Sequence, residues 1–228
     1  MENAPPVGIG YYTASEAARL IKVPPRRIQR WLEGYASASG GRSYRSDALW
    51  QSQLPRANGH VELGFRDLME LRFVDAFEKA GLSLQTIRKC LAVAREALGE
   101  ARPLSTAKFR TDGRTIFLQA FGEADEPELL DLVKKQFAFH RIVEPTFKDI
   151  ELMGGVPSRW WPLAGRKTIV VDPARSFGQP IASASGIPTA VLAEAAIAEG
   201  SPAKAARIYE VPVDVVRDAL RFEQELAA

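Results

Sequence analysis

The chain has 228 residues, of which 46% are hydrophobic and 25% charged, with a formal net charge of +2; this is ordinary for a soluble globular protein long enough for two domains, or for one domain with an appended module. A single cysteine excludes an intramolecular disulfide framework, and no cluster of cysteine and histidine has the spacing of a zinc site. Residues 1–10 lack the pattern of a signal peptide and no apolar run reaches the ~20 residues of a membrane span, so we expect a cytoplasmic protein with no membrane partner.

Two short helices separated by prolines are the first predicted elements. Thr13 is placed as the N-cap of the first helix, with Glu16 three residues later as its capping-box partner. Pro24 and Pro25 end that helix, and Pro25 suits the first turn of a second helix because its missing N–H costs little there. This layout predicts a helix-turn-helix. The residues expected to face inward are Ala17, Ala18, Leu20, Ile21, Ile28, Trp31 and Leu32.

Positive charge is concentrated on this helix pair and on the segment that follows it. Between Arg19 and Arg45 the chain has seven basic residues and one acidic residue, a local excess of +6. The second helix carries side chains of the kind that read a major groove, and a tip at Gly40 and Gly41 predicts a wing that reaches phosphates or a minor groove. We predict base contacts by Arg26, Arg27, Gln29 or Arg30, phosphate contacts by Arg42 and Arg45, and a further DNA contact by Tyr44. The alternative is that these side chains only solvate a surface helix.

The stretch from Phe65 to Gly99 is the longest helical pattern, and Gly81 divides it into two parts. Ser83 is placed to cap the second part. A broad apolar face on a long helix favours a dimer interface, since a helix-turn-helix usually reads DNA as a two-fold pair, although packing within the chain explains the same pattern. The apolar stripe consists of Leu68, Leu71, Phe73, Val74, Phe77, Leu84, Ile87, Leu91, Ala94 and Leu98.

The segment 103–165 is predicted to mix helix and strand. Asp112 and Gly113 lie between two alternating stretches, which favours a β-hairpin. Acidic residues from Glu123 to Asp131 favour the start of a helix, because negative charge is stabilised at a helix N-terminus. Another strand is predicted from Phe147 to Leu152.

The C-terminal segment begins with a β-branched strand from Thr168 to Val171 and continues through two glycine-containing turns into three short helices. The helices are predicted at 189–199, 201–209 and 212–226. Ser201 is placed as an N-cap and Pro202 as a first helical residue. From Pro188 onward the chain has four basic and seven acidic residues, a local excess of −3. Because such a unit suits a phosphate backbone poorly, we expect it to dock protein or to pair with its own copy.

No group of residues has the pattern of an active site. His60 and His140 are each isolated from a cysteine or carboxylate at ligand spacing, and Cys90 lies in a helical pattern where an inert thiol is more typical than a redox sensor. The glycine pairs fit turns rather than phosphate-binding loops. We therefore expect a protein that is not an enzyme and that uses no metal and no cofactor.

The first part of the chain contains three consecutive features: the stretch from Tyr12 to Trp31, the wing from Gly41 to Arg45 and the long helix from Phe65. Together they resemble a MerR-type winged helix-turn-helix, which implies DNA binding. The chain departs from that family because it lacks the paired cysteines of metal-sensing members and has an unusual insert at 50–64. These departures argue against ligand sensing.

The C-terminal segment contains several short motifs that together resemble those of one protein family. They are Val171-Asp172-Pro173, Phe177-Gly178-Gln179-Pro180-Ile181, Gly186-Ile187-Pro188-Thr189, Glu199-Gly200-Ser201, Ala205-Ala206-Arg207-Ile208-Tyr209 and the stretch from Val213 to Glu223. With these motifs, residues 166–226 resemble VapB-type antitoxin domains of the class that pairs with PIN-like ribonuclease toxins. Long members of that class have a MerR-like region first, and this chain resembles that arrangement along nearly its full length. The resemblance implies an antitoxin that neutralises a PIN-like ribonuclease toxin encoded nearby, binds operator DNA to repress its own operon, and forms a homodimer or a larger toxin–antitoxin assembly. The toxin is expected to be held by the middle β-containing region or by the C-terminal domain.

The elements together predict a mainly α protein with small β elements, an α+β fold. Its four expected segments are a MerR-like winged helix-turn-helix at 11–64, a helical connector at 65–102, a small α+β region at 103–165 and an antitoxin-type helix-turn-helix domain at 166–228. The alternative function is a stand-alone MerR-like transcription regulator whose middle region binds a small ligand. The aromatic residues available for such a site are Phe109, Phe117, Trp160 and Trp161, although a tryptophan pair is more typical of a core or an interface.

Overall fold

The computed structural model describes residues 8–39, 42–122 and 136–227, with side chains described outside 36–44 and 118–140. The described residues form the predicted α+β fold. The helices are α1 (Ala14–Ile21), α2 (Pro25–Glu33), α3 (Phe65–Lys79), α4 (Leu84–Leu98), α5 (Ala107–Gly122), α6 (Gln136–Phe147), α7 (Thr189–Ala198), α8 (Pro202–Ile208) and α9 (Val213–Ala227). The strands are β1 (Tyr12–Thr13), β2 (Tyr35–Ser39), β3 (Arg42–Ser46), β4 (Glu62–Leu63), β5 (Ile150–Met153), β6 (Val156–Trp160), β7 (Ile169–Val171) and β8 (Pro180–Ala182), and a single 3-10 turn spans Ser176–Gly178.

The first two helices form the predicted helix-turn-helix. The Thr13 hydroxyl accepts a hydrogen bond from the Glu16 backbone N–H at 3.2 Å, and the Glu16 carboxylate accepts one from the Thr13 N–H at 2.8 Å, so the capping box is formed. Lys22 ends α1 in a left-handed conformation with φ of 57°, and Pro25 is the first residue of α2. All seven residues predicted to face inward are buried.

A hairpin follows the helix pair, as the glycine-containing tip predicts. Strands β2 and β3 are antiparallel, with Ser39 opposite Arg42. The insert at 50–64 then returns to the helix pair, because β4 pairs with β1 and sets Leu63 opposite Tyr12. The insert is therefore packed against the helix-turn-helix.

The long helical pattern folds as the two helices α3 and α4. Gly81 lies between them with φ of +95°, a conformation that glycine adopts without strain. The Ser83 hydroxyl accepts a hydrogen bond from the Thr86 N–H at 3.1 Å, which confirms the predicted cap of the second helix.

The apolar stripe on these helices is buried within the chain. The ring centroids of Phe73 on α3 and Phe147 on α6 are 4.7 Å apart, and those of Phe77 and Phe117 on α5 are 5.0 Å apart. Packing within the chain therefore explains the stripe, and the expectation that this face forms a dimer interface is not supported. A dimer itself stays a prediction.

The β-hairpin expected at Asp112 and Gly113 is wrong, because both residues lie inside α5. Phe109 and Phe117 are eight residues apart and share a buried helix face, with ring centroids 5.9 Å apart. Burial of two aromatic rings outweighs the ~1 kcal/mol that a glycine costs in a helix interior. The acidic helix start expected from Glu123 to Asp131 falls outside the described residues.

A four-stranded antiparallel sheet in the order β5-β6-β7-β8 joins the middle region, which supplies β5 and β6, to the C-terminal segment, which supplies β7 and β8. Helix α6 extends through Phe147, so the strand expected from that residue begins later, at Ile150. The three predicted helices are confirmed as α7, α8 and α9. Pro202 is the first residue of α8 and Ser201 precedes it in an extended conformation, but the Ser201 side chain makes no capping hydrogen bond.

Most of the buried apolar residues form one continuous cluster, which reaches from Tyr12 to Leu226. All four segments expected from the sequence contribute to this core. The segments are therefore packed together, and their division into separate domains stays a prediction.

Candidate nucleic-acid interface

The outer face of α2 presents three of the residues predicted to contact DNA. Arg26, Gln29 and Arg30 are exposed, and their spacing of three and four residues places them on one side of the helix. Trp31 on the opposite side is 1% exposed and anchors the helix in the core. The Arg30 guanidinium lies 4.1 Å from the ring centroid of Tyr35, the first residue of the wing. This cation–π contact joins the exposed face of α2 to the base of the wing.

Arg27 is placed apart from these three residues. Its guanidinium forms ion pairs with Asp75 at 3.2 Å and with Glu78 at 2.7 Å, both on α3, and lies 5.0 Å from the Trp31 ring centroid. The Trp31 indole N–H donates to the same Glu78 carboxylate at 3.0 Å. These contacts fix α2 on α3.

The wing carries the remaining predicted contacts. The Arg45 side chain is 86% exposed and lies 3.9 Å from the equally exposed Asp47 carboxylate. Arg42 and Tyr44 belong to β3 by their backbone, while their side chains lie outside the described residues. Exposed ion pairs are weak, so a phosphate can replace Asp47 as the partner of Arg45 at little cost.

Two arginines on α4 hold the segment that leads out of the wing. Arg88 donates to the Asp47 carbonyl at 2.6 Å, and Arg95 donates to the Leu49 carbonyl at 2.6 Å. The Leu49 N–H in turn donates to the Trp31 carbonyl at 2.7 Å. The wing is therefore positioned against both α2 and α4. Sequence reasoning missed these arginines, because a helical pattern identifies the apolar stripe but gives no partner for a polar side chain.

The helix-turn-helix is also tied to the C-terminal segment. The Tyr12 hydroxyl, which is buried, donates to the Gly178 carbonyl at 2.8 Å, and the Tyr11 N–H donates to the Phe177 carbonyl at 2.9 Å. Burial and the nearby carboxylates of Glu16 and Asp172 raise the pKa of Tyr12, so its hydroxyl stays protonated and able to donate. Since Tyr12 directly precedes the N-cap of α1, this contact positions the start of the helix-turn-helix.

The four aromatic residues considered for a ligand site do not share one pocket. Phe109 and Phe117 pack on each other and on Phe77 in the core. Trp160 is buried elsewhere, with the Arg72 guanidinium 4.5 Å from its ring centroid, as expected of a core residue. The contacts of Phe109, Phe117 and Trp160 therefore do not support a ligand site shared by the four residues.

A cleft of about 350 Å³ does lie beside Trp160, between α1, α3, α6 and α9. Its charged side chains are paired within the chain. Arg72 pairs with Asp149 at 3.2 Å and Lys22 with Glu225 at 3.0 Å, and Asp75 pairs with Arg27 as described above. These groups therefore stabilise the junction of the helices and have their charge already balanced.

The remaining features concern the reactivity of the thiol, metal binding and membrane insertion. Burial raises the pKa of the Cys90 thiol to about 12, which disfavours the reactive thiolate. Within the described ranges, no three histidine, cysteine, aspartate or glutamate side chains are grouped as metal ligands. None of the helices in those ranges is both long enough and apolar enough to cross a membrane.

Residues 10–91 match the family model described as "Putative DNA-binding HTH domain". The match covers the helix pair, the wing, the insert, α3 and the first half of α4. The helix-turn-helix whose exposed cationic face is described above is therefore similar to a DNA-binding domain.

The similarity to other proteins extends along most of the chain. Over 223 residues, and 92% of each chain, it is 27% identical to "Putative antitoxin VapB45" of Mycobacterium tuberculosis (strain ATCC 25618 / H37Rv). The crystal structure of Rv2018 from Mycobacterium tuberculosis matches with a TM-score of 0.71 at 27% identity, over 92% of this chain and 96% of that one. The chain therefore combines a region similar to a DNA-binding helix-turn-helix with near full-length similarity to a protein described as an antitoxin.

Proposed function

We propose that this chain is the DNA-binding antitoxin of a toxin–antitoxin system, which represses its own operon and neutralises a PIN-like ribonuclease toxin encoded nearby. The observation that carries the proposal is the exposed cationic face of α2 beside a wing, in a chain whose similarity to a protein described as an antitoxin covers 92% of its length. DNA and a protein toxin are then its two partners, and its action requires no catalysis.

Operator binding begins with α2. In this proposal the helix enters the major groove, where Arg26, Gln29 and Arg30 contact base edges. Arg45 on the wing, with Arg42 and Tyr44, contacts the phosphate backbone or the minor groove. A homodimer would place two such helices on the two halves of an operator, since helix-turn-helix proteins commonly bind two-fold sites.

Arg27 has a different role in this arrangement. Its two ion pairs with α3 and its contact with Trp31 set the angle at which α2 leaves the core. We assign it to positioning of the recognition helix, although the sequence grouped it with the residues that contact bases.

The toxin is assigned to the C-terminal segment on grounds of charge. From Pro188 onward this segment has an excess of three negative charges, which opposes binding to phosphate and suits a positively charged protein surface. The two partners therefore occupy different parts of the chain.

Charge reversal on α2 tests the DNA assignment. We expect R26E/R30E to bind a duplex from the region upstream of its gene ~100-fold more weakly, or worse, since each lost contact is worth about 1–3 kcal/mol and repulsion replaces it. The measurement is fluorescence anisotropy at fixed salt, followed by the dependence of affinity on salt concentration.

The matched control is R207E/R217E, which changes the charge equally and alters exposed arginines of α8 and α9. It should keep operator affinity within a few-fold of the unchanged protein. Equal affinity of R26E/R30E and the unchanged protein would show that α2 does not read the operator.

A further inference from the structure

Helix α7 is apolar on the side that faces solvent. Among its ten residues Glu194 carries the single charge. Leu192 and Ala196 are buried in the core. The exposed residues of the helix are Ala190, Val191, Glu194, Ile197 and Ala198. A surface helix normally turns charged and polar side chains outward, so an outer face with four apolar residues out of five is unusual.

The two large apolar side chains of this face are Ile197, which is 68% exposed, and Val191, which is 37% exposed. The exposed positions are spaced by three, four and seven residues, the pattern with which a helix packs into a groove of a partner. The neighbouring α9 differs, because the exposed positions of that helix are mainly charged or polar: Asp214, Arg217, Arg221 and Gln224. On α8 the exposed residues are mixed, because Lys204 and Arg207 accompany Ala203 and Ile208, so α7 has the more uniformly apolar outer face.

Glu194 indicates what kind of partner fits. It is the sixth of the ten residues of α7 and lies in the middle of the exposed face. If two copies of the chain packed through this face about a two-fold axis, the same residues would oppose one another, and the two Glu194 carboxylates would meet in a desolvated contact. A partner with an apolar groove and a lysine or arginine near its centre avoids that repulsion and pairs the carboxylate.

We infer that the outer face of α7, here called the α7 face (Ala190, Val191, Glu194, Ile197 and Ala198), is the docking site for the toxin. This inference rests on the proposed antitoxin function and specifies the surface that performs it. The partner surface is an apolar groove with a cationic side chain opposite Glu194. A ten-residue helix is ~15 Å long, so this face supplies the centre of an interface that normally covers ~800 Å² on each partner.

The test uses the full chain and the purified product of the adjacent gene, with affinity measured by isothermal titration calorimetry. Ile197→Lys places a charge in the apolar contact, about one turn from the cation expected opposite Glu194, so we expect binding at least ~30-fold weaker, the effect of losing a central interface residue. Lysine suits the last turn of a helix, because it complements the helix dipole, so the variant retains its fold. Thermal unfolding of the free chain checks this.

Met153→Lys is the matched control. Met153 is 74% exposed, lies on the β5–β6 hairpin and is outside the α7 face. The Met153→Lys variant should therefore bind the toxin like the unchanged chain. Glu194→Lys should weaken binding by ~10-fold, while the neutral Glu194→Gln should have a smaller effect.

The outcomes separate the inference from the function on which it rests. Loss of binding by Ile197→Lys with retention by Met153→Lys supports the docking site. Equal binding by the unchanged chain and Ile197→Lys overturns it and leaves the antitoxin function in place. A dimer that Ile197→Lys converts to monomer, with toxin binding retained, overturns it in favour of a second copy of this chain. Failure of the unchanged chain to bind contradicts the proposed function itself.

Discussion

Asp67 on α3 is fully buried and holds the insert that follows the wing. Its carboxylate accepts hydrogen bonds from the Trp50 indole N–H and the Ser52 hydroxyl, both at 2.9 Å, and pairs with the Arg102 guanidinium. Removing one member of a buried ion pair typically costs about 3–5 kcal/mol, because the remaining charge has no partner. Asp67 is therefore a structural residue, and its substitution would destabilise the packing of the insert on α3.

Glu70, one turn further along α3, is buried under the connection that leads into α5. Its carboxylate accepts the backbone N–H groups of Leu104 at 2.8 Å and Ser105 at 3.0 Å. Burial raises the pKa of Glu70 to about 7, although these hydrogen bonds and the charge of Arg66 lower it. The folded chain therefore holds a proton on this carboxyl at pH values where an unfolded chain has released it.

This difference makes stability depend on pH. Between pH 4.5, the ordinary pKa of the group, and pH 7 the folded state binds more protons than the unfolded state, so stability falls as pH rises. At about 1.4 kcal/mol for each pKa unit, the loss is on the order of 3 kcal/mol. We expect Glu70→Gln, which does not titrate, to remove this slope in urea unfolding measured from pH 4.5 to 7.5. Identical pH profiles for the two proteins would show that Glu70 titrates normally.

Among the secondary-structure elements, the turn at Ser176–Gly178 connects the four-stranded sheet β5-β6-β7-β8 to the helix-turn-helix. Ser176 and Phe177 have φ of 45° and 54°, which residues other than glycine adopt infrequently, and Gly178 has φ of +82°. A Cβ atom on Gly178 would collide with the Tyr12 hydroxyl, which donates to the Gly178 carbonyl. The close approach of this turn to Tyr12 therefore requires glycine at position 178.

Gly178→Ala tests this contact, with Gly165→Ala as the control. Gly165 has a similar φ of +73° but open space around its Cα, so alanine there has only the backbone strain of ~1–2 kcal/mol. Gly178→Ala should destabilise the chain by an additional ~1–3 kcal/mol in urea unfolding, because the Tyr12 side chain must shift.

Tyr12→Phe removes the colliding hydroxyl and should recover part of the additional loss in the double variant with Gly178→Ala. Equal destabilisation by Gly178→Ala and Gly165→Ala would show that a Cβ atom at position 178 makes no steric clash with Tyr12.

The elements that were predicted correctly from the sequence are marked by residues close to where each element begins. Thr13 with Glu16, Pro25 and Ser83 each mark a helix start through local backbone hydrogen bonding. The Asp112-Gly113 dipeptide misled because its turn preference was weaker than the burial of the rings on either side. That burial depends on α3, more than thirty residues earlier in the chain, and no local pattern reports it.

In the candidate interface, too, features with a local sequence signal were predictable and features that depend on distant residues were not. The exposure of Arg26, Gln29 and Arg30 follows from the helical periodicity and was predictable. The engagement of Arg27 by α3 was not, since its partners Asp75 and Glu78 lie about fifty residues away. Long-range ion pairs of this kind leave no trace in a single sequence.

Across the whole molecule, the helix-turn-helix is in direct contact with the C-terminal segment. Lys22 at the end of α1 pairs with Glu225 on α9 at 3.0 Å, and Tyr12 contacts the turn before β8. The pKa of Glu225 is lowered by hydrogen bonds from Lys22 and Arg221, so this carboxylate stays charged at neutral pH. The unit proposed to bind toxin therefore packs on the unit proposed to bind DNA, while the α7 face and the outer face of α2 remain exposed.

The antitoxin function requires that one chain relieve the toxicity of its neighbour. The most direct measurement is growth of cells that express the product of the adjacent gene, with and without this chain, followed by size-exclusion chromatography of the two proteins. We predict that the neighbouring protein arrests growth when expressed alone, that this chain restores growth, and that the two co-elute. A neighbouring protein that arrests growth equally with and without this chain, with the two proteins eluting separately, would contradict the antitoxin function.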